Sequence, residues 1–160
     1  MSVLVRPAVE ADASAATEVL RRSISVLCVA DHHNDPVRLQ SWLKNKTVAN
    51  VAAWIGSPIN YCVTATKGDA VCGFGAMTLE GEIMLCYVDP AARFCGVSAA
   101  MLDALERKAR VLGLAEVHLN ATVTARRFYE ERGYVAAGGT KQAFESISCQ
   151  SMAKRLRSKN

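Results

Sequence analysis

Arg93, Gly96 and Ser98 carry the most specific chemical signal in the chain. An apolar run closes on Val88-Asp89-Pro90 just before them, and a helical pattern opens straight after. A strand, a glycine-containing loop and a helix N-terminus in that order form an anion site. Backbone N–H groups converge on the loop mouth and the helix dipole adds partial positive charge. Gly96 has no Cβ, so the backbone there can come close to a phosphate. Cys95 sits in the same loop, a setting that favours thiol reactivity, against the plainer reading of an inert loop residue. About thirty residues on stand Ala125, Phe128, Tyr129, Gly133 and Tyr134. Read from spacing alone, Tyr129 is a packed helix tyrosine next to Phe128, although its phenol could also handle a proton.

These residues need a scaffold, and the hydrophobic pattern supplies one. Val3–Arg6 reads as a short strand ended by Pro7. Glu10 to about Val29 is an alanine-rich helix with an apolar stripe at Val9, Ala13, Ala16, Leu20, Ile24 and Leu27. The polar knot Asp31-His32-His33-Asn34-Asp35 breaks it, and Pro36 opens a second helix with Asp35 as its cap. Thr47–Ile55 reads as a third. Strands follow at Ile59–Thr66, Ala70–Leu79 and Glu82–Val88, with turns at Lys67-Gly68-Asp69 and Glu80-Gly81. Gly73 and Gly75 point to a bulge or a close backbone approach. Val97–Leu112 is a helix with Val97, Met101, Leu105, Ala109 and Leu112 toward the sheet, stopped by Gly113. Ala115–Ala121 is a strand. Ala125–Arg132 is a helix capped by Thr122 or Thr124, and Tyr134–Ala137 and Ile147–Met152 are the last strands. The order predicts an α/β (α+β) fold. Its central sheet is mixed and mostly antiparallel, with six to seven strands, about four to five flanking helices and one central crossover.

The chain has 160 residues, 51% hydrophobic and 21% charged, which suits one globular domain over residues 1–160. No apolar stretch approaches the roughly 18 residues of a membrane span, and the N-terminus lacks a signal peptide's pattern. A cytoplasmic protein with no membrane partner is expected. The net charge of +4 suits an anionic ligand without demanding one. The basic run Lys154–Asn160 reads as a solvated terminus, so no nucleic acid partner is expected. None of the six cysteines has metal-ligand spacing, so no metal is expected, and in a cytosolic chain they stay reduced.

The two motifs together resemble the GCN5-related N-acetyltransferase (GNAT) superfamily. Arg93-x-x-Gly96-x-Ser98 is similar to its Q/R-x-x-G-x-G/A pyrophosphate loop. Ala125-x-x-Phe128-Tyr129-x-x-x-Gly133-Tyr134 is similar to its later Ala-x-x-Phe-Tyr-x-x-x-Gly-Phe/Tyr segment. The resemblance follows the element order of the whole chain and is specific from about Ala70 to Ala137. It implies transfer of an acetyl group from acetyl-CoA to an amine of a small molecule or peptide. Cys86, Tyr87 and Val88 match the strand that holds the thioester and pantetheine arm through backbone groups. Arg93, Phe94, Cys95, Gly96, Val97, Ser98 and Ala99 match the pyrophosphate loop. Ser98 departs from the usual Gly or Ala but is still small. Thr122 stands where many members carry an Asn on the cofactor arm. Homodimers are common in the family.

The resemblance also implies the catalytic roles. Tyr129 matches the general acid that protonates the leaving thiolate, and a strand N–H near Val88 matches the oxyanion donor. The base stays open between a water-mediated route, Glu82, and His32 or His33. By strand alternation Glu82 shares a face with Met84, Cys86 and Val88. The two histidines lie on the family's acceptor side, where Asp31 and Asp35 hint at an acidic pocket. His118 reads as a packed strand residue. Cys86 reads as a small residue beside the cofactor arm rather than an acyl-accepting nucleophile. The alternative reading is a catalytically silent acyl-CoA-binding sensor or regulatory module, which the presence of Tyr129 opposes.

Overall fold

The computed structural model describes residues 2–144 and 146–157. Seven strands and six α-helices follow one another as β1 (Val3–Pro7), α1 (Ala13–Leu27), α2 (Val29–His32), α3 (Pro36–Leu43), α4 (Val48–Gly56), β2 (Asn60–Lys67), β3 (Ala70–Thr78), β4 (Ile83–Val88), α5 (Val97–Val111), β5 (Glu116–Thr122), α6 (Val123–Glu130), β6 (Val135–Ala143) and β7 (Ile147–Arg155). Short 3-10 turns at Glu10–Asp12 and Pro90–Ala92 precede α1 and α5. Among these described residues, no helix is long and apolar enough to cross a membrane.

The single central sheet expected from the sequence is two sheets, ordered β1-β2-β3-β4 and β5-β7-β6, each antiparallel throughout. Six helices stand where four to five were expected, because Cys28 (φ −100°, ψ 26°) interrupts the first helix and the polar knot then starts with the one-turn α2. Asp35 caps α3 as expected, its carboxylate accepting from Val37 N–H (3.1 Å). β6 extends to Ala143, past the expected end at Ala137. Its register shift between Ala136 and Thr140 absorbs Gly138 and Gly139.

Strand alternation splits the core of the first sheet. Cys62, Phe74 and Ala76 pack with Ala13, Ala16, Leu20 and Val51 on the α1/α4 face. Val63 and Ala65 join Val97, Met101, Leu102, Leu105 and Ala109 of α5 on the other face. Burying each Leu or Met of that stripe contributes about 1.5–3 kcal/mol. α5 lies so close to β3 that a Cβ on Gly73 would stand 2.8 Å from Val97 Cγ1 and 2.9 Å from Met101. This is the close approach that the strand glycine foretold. It sets the start of α5, and with it the loop in front, against the sheet.

Candidate active site

β4 and β5 are linked near their first residues and then part. His118 N–H donates to Gly81 O (3.0 Å), and Glu82 and His118 form a parallel bridge. Beyond it the strands belong to different sheets. Asp89 N–H donates to Cys72 O on β3 (2.8 Å). Alternation therefore turns the N–H of Val88, and two residues back that of Cys86, to the opposite edge of β4, toward β5. A cavity of about 580 Å³ fills the opening, walled by Met84–Val88 of β4, Leu119, Asn120 and Thr122 of β5, Tyr129 of α6 and the loop before α5.

That loop is built by its own side chains. Asp89 accepts from Ala91 N–H (2.9 Å) and pairs with Arg22 (3.4 Å), which holds the Pro90–Ala92 turn. Gly96 has φ 79° at the N-cap of α5, a conformation that strains any residue with a Cβ, and the space beside it is open. Ala100 N–H bonds Gly96 O (3.0 Å), so the amides of Val97, Ser98 and Ala99 have no acceptor within the helix. Arg93 and Arg132 add positive charge, each guanidinium lying over a phenyl ring, Phe94 at 4.6 Å and Phe128 at 4.3 Å. Phe94 is 91% exposed with φ 66°, an uncommon conformation for an aromatic residue. Backbone amides, a helix N-terminus and two arginines fit a diphosphate.

Tyr129 is buried in the cavity wall, T-shaped against Tyr134 at 5.5 Å, and Cys86 lines the same cavity. Burial, then the neighbouring Cys86, Tyr87 and Tyr134, hold the Tyr129 hydroxyl well above its ordinary pKa, so it stays protonated. Burial pushes the Cys86 thiol up to about 12. It donates to Ser98 O (3.8 Å) and is a neutral hydrogen-bonding group rather than a thiolate nucleophile. The Tyr87 side chain points to the other face of β4, against Cys28 and Trp42, where burial raises its hydroxyl pKa too.

Cys86, Tyr87, Val88, Arg93, Phe94, Gly96, Val97, Ser98, Ala99, Thr122 and Tyr129 thus come together around one cavity. Five other candidate residues do not line it. Cys95 is exposed, its thiol 3.7 Å from Lys67 Nζ and 3.7 Å from Arg93 O. Glu82 does not share the face of Cys86. The pairing jumps from Ala76↔Leu85 to Met77↔Ile83, and the bulge at Met84 breaks the alternation before Glu82. Asp31 is 6% exposed and accepts from Val123 N–H (2.8 Å) and Thr124 N–H (3.2 Å) at the start of α6. His32 is fully buried with both ring nitrogens engaged, Nε2 to Ile24 O (2.8 Å) and Nδ1 accepting from Asn34 N–H (3.0 Å). His33 is exposed in the left-handed turn after α2 (φ 54°). With Asp35 half-buried and paired to Arg38, and neither aspartate lining the cavity, the hinted acidic pocket is absent among the described residues.

Sequence reasoning missed Ser23, Leu27 and Cys28, which line the cavity from α1 and its end, and Asn120 and Arg132. Leu27 stood in the apolar stripe of α1, but nothing in the stripe marked its lower end as a ligand wall. Arg132 carried a signal in hindsight, a cation one turn after Phe128 in the segment that carries Tyr129.

Residues 27–156 match the sequence profile of the acetyltransferase (GNAT) domain. The chain belongs to the GNAT family. It is therefore an acetyltransferase. A GCN5-related N-acetyltransferase from Rhodopseudomonas palustris superposes with a TM-score of 0.87 at 24% identity, covering 98% of this chain and 97% of that one. The PaiA N-acetyltransferase of Thermoplasma acidophilum, solved with coenzyme A, gives 0.79 at 16% identity over 98% and 100%. An aminoglycoside 6'-N-acetyltransferase, also complexed with coenzyme A, gives 0.71 at 15% over 98% and 99%. At these identities the likeness is one of fold. No curated protein sequence matches the chain.

Proposed function

We propose that this GNAT acetyltransferase moves the acetyl group of acetyl-CoA directly to an amine, with Tyr129 as the proton donor to the departing thiolate. The observation that carries this reading is the placement of Tyr129, buried in the wall of a cavity into which the Val88 N–H of the free β4 edge is turned. The α5 amides, Arg93 and Ser98 hold the diphosphate, and the free edge of β4 lines the pantetheine arm. The Val88 N–H faces the acetyl carbonyl oxygen and stabilises the charge that grows on it.

As the amine nitrogen bonds the acetyl carbon, the carbon–sulfur bond breaks and the sulfur takes the Tyr129 proton. The proton lost by the amine leaves through water. Neither Glu82, His32 nor His33 lines the cavity, which favours that route over a side-chain base. The acceptor enters along the α1 side, where Ser23, Leu27, Cys28 and Tyr87 give an uncharged wall. Such a wall suits an amine on a neutral small molecule or peptide.

Tyr129→Phe keeps the ring packing and removes only the donor. In steady-state turnover with an accepted amine, kcat falls about a hundredfold while calorimetric affinity for acetyl-CoA stays within about threefold. Unchanged kcat removes Tyr129 from the chemistry. Tight acetyl-CoA binding without turnover of any amine favours a silent sensor.

A further inference from the structure

We propose that Asp31 is a positioning residue for Tyr129: held on α2, its carboxylate replaces the missing cap of α6 and fixes the helix that carries the acid. The proposal rests on the reading of Tyr129 as proton donor. Thr122 has the backbone of an N-cap (φ −69°, ψ 165°), yet its side chain makes no capping bond. The first two amides of α6 go instead to a residue 92 and 93 positions earlier. Asp31 Oδ1 accepts from Val123 N–H, and Oδ2 accepts from both Thr124 N–H and the Thr124 hydroxyl. A negative charge at that end also complements the helix dipole.

Asp31 is itself anchored on a fixed platform. Its own N–H donates to Cys28 O (2.9 Å), and the doubly bonded His32 ring beside it ties α2 to the end of α1 and to Asn34. Trp42 of α3 packs edge-on against that ring. The wall that faces the acceptor and the helix that faces the sulfur are thus joined through one carboxylate. Tyr129 lies six residues beyond Val123, about 9 Å along the axis. A tilt of about 6° at the first turn would move it about 1 Å, a misplacement able to cost up to a hundredfold in rate.

The test is a cycle of Asp31→Ala, Asp31→Asn, Tyr129→Phe and the double variant Asp31→Ala/Tyr129→Phe. Each is measured for kcat, for KM of acetyl-CoA and for thermal unfolding. Asp31→Asn retains one acceptor oxygen and serves if the alanine variant does not fold. The expected result is a kcat about tenfold or more lower for Asp31→Ala, an intermediate value for Asp31→Asn, and KM within about threefold of wild type. In the double variant kcat falls no further than in Tyr129→Phe alone, because the positioned group is already gone. A purely structural role would lower stability and leave kcat, or its losses would multiply with those of Tyr129→Phe; either result overturns the proposal. If Tyr129→Phe alone keeps full kcat, the acid reading fails first and the Asp31 role fails with it.

Discussion

Replacing Gly73 with alanine puts a methyl group between β3 and the first turn of α5. The new Cβ would lie 2.8 Å from Val97 Cγ1 and 2.9 Å from Met101 Cε and Sδ. Carbon atoms in contact ordinarily keep about 3.5–4.0 Å, so the gap must open by about 0.7–1.2 Å. Met101 can give way by rotating its flexible end, but Val97 is β-branched and stiff at χ1 in a helix. The start of α5 must therefore move. Overpacking of this kind costs about 1–3 kcal/mol, which for a chain of this length lowers the melting temperature by about 2–12 °C. The same displacement carries the Val97 and Ser98 amides away from the anion they face. Losing one charge-assisted hydrogen bond weakens coenzyme A binding by about tenfold or more. Calorimetric titration with coenzyme A and a thermal melt read the two effects. Gly56→Ala is the control, since nothing stands within 4 Å of its Cβ; it leaves coenzyme A binding unchanged and does not lower the melt. A Gly73→Ala protein that melts and binds like wild type would refute the argument that α5 is pinned to β3 by that glycine.

Two further results are expected. Asp12 accepts from Arg6 (2.7 and 2.9 Å), from Val9 N–H and from the Thr64 hydroxyl, and the Arg6 bonds, aided by the others, lower its pKa to about 2. A depressed carboxylate pKa stabilises the fold above about pH 4, and the contribution is lost as pH falls through about 2. Asp12→Asn accordingly melts below wild type at pH 7, by an amount of about 1 kcal/mol with Arg6 half exposed, and a melt series shows the gap closing between pH 4 and 2. Iodoacetamide on the native protein at neutral pH modifies exposed Cys95 before the other five cysteines, as read by peptide mass spectrometry; first labelling at Cys86, whose thiol is pushed up to about 12, would contradict the site's electrostatics.

The site was legible where chemistry is carried by local spacing. Arg93, Gly96 and Ser98 belong to one turn of chain, and the glycine's positive φ is a local demand that the sequence states directly. Tyr129 stood out only through the family resemblance, since from spacing alone it read as a packed helix tyrosine. What the sequence did not state depends on tertiary pairing. Glu82 was misplaced because a single bulge at Met84, invisible in a pattern of alternating residues, shifts the strand's faces. Asp31 looked like a free carboxylate because its partners, Val123 and Thr124, are brought to it only by the fold. The division into two sheets rests on long-range register, in which β4 and β5 bridge once and part.

The account stands most directly on what the cavity between β4 and β5 holds. Calorimetric titration of the reduced, folded protein with acetyl-CoA measures it without recourse to thiol reagents, which the six cysteines would consume. The account predicts a saturable one-to-one heat that weakens as salt rises, because amides and arginines meet the phosphates. It also predicts a heat markedly reduced by Gly73→Ala. A folded protein that gives no saturable heat at millimolar acetyl-CoA would contradict the account, leaving the GNAT fold without the acetyl donor assigned to its cleft.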